Sequence, residues 1–221
     1  HGTACGGGNA AILGQLGISK TTTRSKLGGR CPYRVLRKAF TLGFLSMKEI
    51  TLHKSSEVEK YISIIKKASR KAKDNIDQIS TNTNDVNFLK MIKYEKIGFD
   101  PLNLDRNLNL IEQVNQTFTY LASLKAAKFL FNEFESLEGL RLNLGTSSGS
   151  DIESFDGTIT AEVFAATRPS SNRKLKKDIA KVKSTSANKK YVFFACPGIE
   201  EGPYKYKDEI DVVIWSLGVK T

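Results

Sequence analysis

The segment GSDIESFDGTITAEVF, residues 149–164, decides how the second half of the chain folds. It alternates apolar and polar residues on either side of Asp156-Gly157, a dipeptide that favours tight hairpin turns. With Asp156 and Gly157 as a two-residue loop, counting outward pairs Phe155 with Thr158, Glu153 with Thr160, and Asp151 with Glu162. Two carboxylates then stand opposite one another on one sheet face, with Cβ atoms roughly 4.5–5.5 Å apart, an arrangement that costs stability. A divalent cation with hard oxygen ligands relieves that repulsion, and Mg2+ is the ion such ligands suit. A polar sheet face at a solvent edge is the alternative reading of the same pair. Asp156 is read as a turn residue.

Working outward, the elements after Pro101 fall into a definite order. Residues 109–135 carry Ile111, Val114, Phe118, Leu121, Leu124, Ala127, Phe131 and Phe134 at helical spacing, and Gly139 follows. Residues 140–145 alternate as a strand, and the hairpin supplies two more. Residues 171–184 read as a helix with Ser171 as its cap. Residues 190–198 form a buried strand stopped by Pro197-Gly198, and 211–219 a last strand. The order is helix, three strands, helix, strand, and one strand more. The fold class is therefore mixed α/β.

That order, with Asp151 in SGSDI and Glu162 in TAEVFAA, resembles the core of the PD-(D/E)XK nuclease superfamily over roughly residues 108–198. In that family a helix precedes a three-stranded meander, followed by a helix and a strand. Its signature Asp lies on the second strand, and its acidic residue, followed two places later by Lys, on the third. The resemblance implies a restriction-endonuclease-like αβββαβ core in which Asp151 and Glu162 bind Mg2+, or Mn2+ in its stead. Glu112, near the start of the long helix, matches a further carboxylate of many members, and Glu153 shares a strand face with Asp151. The chain departs from the pattern at Phe164, where the family carries lysine. A cation from the next helix is expected to replace it, Lys174 first and Lys177 second. If neither does, the core is a binding scaffold without catalysis.

The chain has 221 residues, 40% hydrophobic and 26% charged, enough for one large domain or two small ones. Its net charge of +11 is uneven. Residues 1–98 hold 18 Lys and Arg against 7 Asp and Glu, whereas residues 99–221 hold 16 of each. The expected division is a basic, mainly helical domain at 1–98 and the nuclease-like core at 99–221. An excess of this kind points to a polyanion, above all double-stranded DNA. Within the basic part, residues 9–45 read as short helices followed by a strand at 44–52. This resembles a winged helix-turn-helix, with Thr21, Thr22, Arg24, Lys26 and Arg34 as the expected DNA contacts. A small helical domain without a DNA role is the alternative.

Residues 55–79 form a basic amphipathic helix. Val58, Ile62, Ile65, Ala68 and Ala72 line one side, and Lys60, Lys66, Lys67, Arg70, Lys71 and Lys73 fill the rest. It is either a solvated surface helix or a groove-facing one. Residues 80–87 read as a polar loop.

Other classes fall away. Two histidines, His1 and His53, argue against a histidine metal cage or a Ser-His-Asp triad. Three well-separated cysteines make no disulfide framework and suit a reducing, cytoplasmic setting. No apolar run approaches a membrane span, and no signal peptide is apparent. The glycine-rich GTACGGGN lacks the Gly-Lys-Ser/Thr end of a phosphate loop. The sequence thus leads to a Mg2+-dependent endonuclease on duplex DNA, of site-specific type II restriction kind. Homodimerisation is expected, because cutting both strands needs two sites related by a twofold axis. The rival is a non-catalytic DNA-binding regulator.

Overall fold

The computed structural model describes residues 49–145 and 148–219. The elements are β1 (Glu49–Leu52), α1 (Val58–Asn82), α2 (Asp85–Tyr94), β2 (Gly98–Asp100), β3 (Asn103–Leu108), α3 (Leu110–Glu133), β4 (Leu140–Asn143), β5 (Ile152–Ser154), β6 (Ile159–Ala165), α4 (Lys174–Lys183), β7 (Lys189–Ala195), β8 (Gly202–Pro203) and β9 (Val213–Ser216). Seven strands make one mixed sheet in the order β1-β4-β5-β6-β7-β9-β8, and β2 and β3 form a separate ribbon. Each step from β1 to β6 is antiparallel, whereas β6–β7 and β7–β9 are parallel. The chain is thus mixed α/β, as its sequence predicts.

The parallel strands read as apolar runs because both their faces are covered. Ala161, Val163, Tyr191 and Phe193 point into a core shared with Leu124, Ala127 and Leu130 of α3 and with Val58 and Ile65 of α1. Phe164, Val192 and Phe194 point the other way, into a smaller core with Leu175, Ile179 and Val182 of α4. Phe193 and Phe194 are both fully buried, each contributing on the order of 1.5–3 kcal/mol by leaving water.

The hairpin keeps the expected register, with Glu153 opposite Thr160 and Ile152 opposite Ala161. Its loop is longer than two residues. β5 ends at Ser154 and β6 begins at Ile159, with Gly157 N–H donating to Ser154 O. Gly157 has φ +71° but Asp156 is not left-handed, so the two-residue turn that needs both residues left-handed is not used. Asp156 nevertheless organises the turn, accepting from the Ser154 hydroxyl and from the backbone N–H and hydroxyl of Thr158. Those bonds hold its carboxyl below the usual range.

Other boundaries differ from expectation. Residues 80–87 are not a loop: α1 runs to Asn82, and the Asn84 side chain caps α2 by accepting from Asn87 N–H. Ser171 is not a helix cap. A 3-10 turn, Ser171–Arg173, with Asn172 and Arg173 at φ 53° and 56°, precedes α4. The stripe on α3 is also rotated. Ile111, Val114 and Phe118 are about half exposed, while Gln113, Tyr120, Leu124, Ala127 and Leu130 are buried. The helix must serve both the sheet and α1, so its buried arc turns between those two neighbours and leaves the 111/114/118 stripe outside.

The expected division at 98/99 does not survive. Among the described residues no boundary between compact units falls near 98. β1 pairs with β4, and α1 buries Val58 and Ile65 in the same core as α3. Gln113 ties three elements together. It accepts from Phe99 N–H at 2.8 Å and donates to Ala68 O at 3.2 Å. Gln113→Leu leaves the Phe99 N–H unmet, while Ala68 O keeps its bond within α1, so urea unfolding should show a loss of about 1–3 kcal/mol, the cost of one unsatisfied buried group. The transition should remain single, because α1 and the sheet share one core.

Candidate functional site

One step beyond the Ile152–Ala161 pair of the β5–β6 ladder, the register sets Asp151 opposite Glu162, and their hydrogen bonds agree. Asp151 N–H donates to Glu162 Oε1 at 3.3 Å, and Val163 N–H donates to Asp151 Oδ2 at 2.8 Å. Strand alternation places both carboxylates on the α4 side, since neighbouring Ile152, Ala161 and Val163 fill the core on the α3 side. Glu162 is only 1% exposed. Asp151 lines a cleft of about 370 Å3 together with Thr119, Ser123, Asn143, Ser171 and Lys174.

Helix α4 brings two lysines and a third carboxylate to this face. Lys174, Asp178 and Lys181 recur at i, i+4 and i+7, which sets them on one side of a helix. Lys181 Nζ lies 2.7 Å from Glu162 Oε1. Lys174 Nζ lies 2.7 Å from Asp178 Oδ1. Asp178 is 3% exposed, and its Oδ2 has no hydrogen-bond partner among the described residues.

The electrostatics follow from burial. Burial pushes the Glu162 carboxyl up to about 7, the Asp151 charge adds to the rise, and Lys181 opposes it. Asp151 is raised by burial, against the Val163 N–H and the lysines. Asp178 is likewise raised by burial, against Lys174. The Lys174 ammonium is drawn down by burial, but Asp178, Asp151 and Glu162 together hold it above its usual value.

A raised Glu162 makes the folded state bind a proton that the unfolded state has already released. Stability from this group is therefore full below about pH 4.5 and is lost as pH rises through about 7. Above that point Lys181 faces a charged, buried carboxylate. Lys181→Met should cost about 1.4 kcal/mol at most at pH 8, because a carboxyl that titrates near 7 escapes a larger loss by taking up a proton. At pH 5 it should cost much less. Chemical denaturation at the two pH values checks this.

The other expected site residues are not all brought here. Glu153 is partly exposed, accepting from Ser150 N–H at 3.2 Å and lying 3.9 Å from Arg141. Glu112 belongs elsewhere. Asn109 caps its helix by accepting from Glu112 N–H, and the side chain lines a separate polar hollow with Tyr94, Lys96 and Arg106. Lys177 is exposed, with no ion pair among the described residues. Lys174 lines the cleft with Asp151, its ammonium bonded to Asp178. Lys181 and Asp178 are additions that the sequence reading lacks, although their spacing from Lys174 is a signal that could reveal them. Thr21, Thr22, Arg24, Lys26 and Arg34 lie outside the described residues.

Among the described residues, no three His, Cys, Asp or Glu side chains are grouped to hold a metal ion. No described helix is long and apolar enough to cross a membrane. No protein-family model, curated protein or solved structure matches this chain.

Proposed function

We propose that the chain is a Mg2+-dependent endonuclease on duplex DNA, built on a restriction-endonuclease-like core of the PD-(D/E)XK kind. The observation that carries this reading is the Asp151–Glu162 pair on adjacent strands beside a cleft, faced by lysines from α4. The run α3, β4, β5, β6, α4, β7, antiparallel through β6 and then parallel, supports it.

The donor set fits a hard divalent cation. Asp151 and Glu162 offer carboxylate oxygens, and the Asp151 charge raises Glu162, so a shared cation would relieve both. Asp151 and Glu162 would hold the ion, Mg2+ or Mn2+. When bound, it supplies charge stabilisation at the scissile phosphate and an acidified water. Lys174, on the cleft wall and held by Asp178, neutralises the phosphate. Lys181 stands in the place of the missing strand lysine, beside Glu162. Cleavage of the type II restriction kind by a homodimer is the finer form of this proposal.

Incubating plasmid and phage DNA with the protein in Mg2+ or in EDTA tests it. Discrete Mg2+-dependent fragments support it; intact DNA and RNA of every kind, methylated or not, would sink it. One observation favours a second reading. Lys181 already neutralises Glu162, and Phe164 is buried in the core, which suits a DNA-binding scaffold without catalysis. That protein binds DNA equally with and without Mg2+.

A further inference from the structure

We infer that the solvent face of α1 is a docking ridge for the phosphate backbone of duplex DNA. The inference rests on the DNA-directed reading above and assigns it a surface. Lys60, Lys66, Lys67, Arg70, Lys71 and Lys73 are all exposed on this 25-residue helix. The opposite side is anchored by buried Val58, Ile65, Ala68 and Ala72. The cations are therefore presented on a rigid rod rather than a loose tail. Lys60, Lys67 and Lys71, at i, i+7 and i+11, form one row spanning roughly 16 Å at 1.5 Å per residue. Lys66, Arg70 and Lys73 form a second row about a third of a turn round the helix, with Asp74 between the two.

Few of these charges are satisfied within the protein. Lys73 pairs with Asp77, and Glu59 is taken by Lys128. Asp74 is the remaining acidic residue of the helix. Among the described residues, Lys66, Lys67 and Arg70 have no hydrogen-bonded or ion-paired partner. Lys71 lies over the Phe99 ring at 4.0 Å, which holds its ammonium at the helix surface.

The chemistry of the face selects the partner. A linear array of cations suits a regular polyanion. A membrane surface needs large apolar side chains beside the lysines, and single-stranded nucleic acid needs aromatic platforms. The exposed positions of α1 offer neither.

The test uses the full chain in EDTA, so that binding is read without cleavage. A 20-bp duplex DNA, a duplex RNA of the same sequence and anionic phosphatidylserine vesicles serve as probes. Lys66→Glu, Lys67→Glu and Arg70→Glu are combined, alongside the neutral Gln set, which keeps the side-chain stems. Duplex DNA binding should weaken at least ten-fold in the Glu set and less in the Gln set. The slope of log K against log salt should fall by about 2–3 in the Gln set, near 0.9 for each phosphate that is no longer neutralised. Thermal melts confirm that both sets remain folded. DNA affinity and slope unchanged in both sets overturn the inference, as does a loss confined to RNA or vesicles. If the ridge variants lose binding but wild-type protein cleaves nothing in Mg2+, the nuclease reading falls and the ridge stands.

Discussion

Asp151→Asn and Glu162→Gln should each lower Mg2+-dependent cleavage of duplex DNA by about a thousand-fold, the scale set by removing one preorganised electrostatic group from an active site. Binding of the same DNA in EDTA should stay within a few-fold of wild type. The two carboxylates act as one unit, so the double variant should be little worse than either single one. Both substitutions keep side-chain volume. Asn at 151 retains an oxygen to accept from Val163 N–H, and Gln at 162 retains one for Asp151 N–H. Loss of fold is therefore a poor explanation for loss of cleavage. Glu162→Gln has a second signature: it removes the titrating carboxylate and should flatten the decline in stability between about pH 4.5 and 7. Cleavage rates by gel and denaturation at both pH values read the two effects separately.

Phe164→Lys should unfold the protein rather than improve it. The resemblance would fill this position with lysine, yet the Phe164 side chain is 4% exposed, stacked on Phe194 at 5.8 Å, and packed with Leu175 and Ile179 of α4. Replacing it loses about 3–5 kcal/mol of aromatic packing and adds the desolvation of an ammonium set among the apolar side chains of this core. Together these approach the whole stability of a typical domain, about 5–15 kcal/mol. Urea denaturation should show a collapse of stability; a well-folded variant with faster cleavage would contradict the description of this core. The second core explains why the cation comes from elsewhere. The apolar face of α4 seals Phe164 in, while its next face carries Lys174, Asp178 and Lys181 to the carboxylates.

The Asp151–Glu162 juxtaposition is legible in the sequence because strand periodicity is two and the turn sits at a recognisable place, so counting alone fixes which side chains meet. Even the longer loop does not change it, since the extra residues fall symmetrically on both sides of Asp156-Gly157. The helix partners are less legible. Which lysine of α4 reaches Glu162 depends on how far the helix slides along the sheet, and spacing does not encode that. The 3-10 turn at Ser171–Arg173 delays the helix to Lys174. Lys177, exposed, then gives way to Lys181. The α3 stripe misleads because apolar residues occur nearly all round that helix, so periodicity does not say which arc is buried. The charge step near residue 98 suggests a domain boundary, but lysines on the outside of α1 say nothing of what its inside packs against.

The most direct test is Mn2+ binding followed by electron paramagnetic resonance at a pH of about 7.5, just above the Glu162 transition near 7, with wild-type protein beside Asp151→Asn and Glu162→Gln. Wild type should take up Mn2+, each variant should bind it at least ten-fold more weakly, and Mg2+ should compete at the same site. Mn2+ uptake equal in all three proteins, or absent from wild type, would contradict a metal site at Asp151 and Glu162.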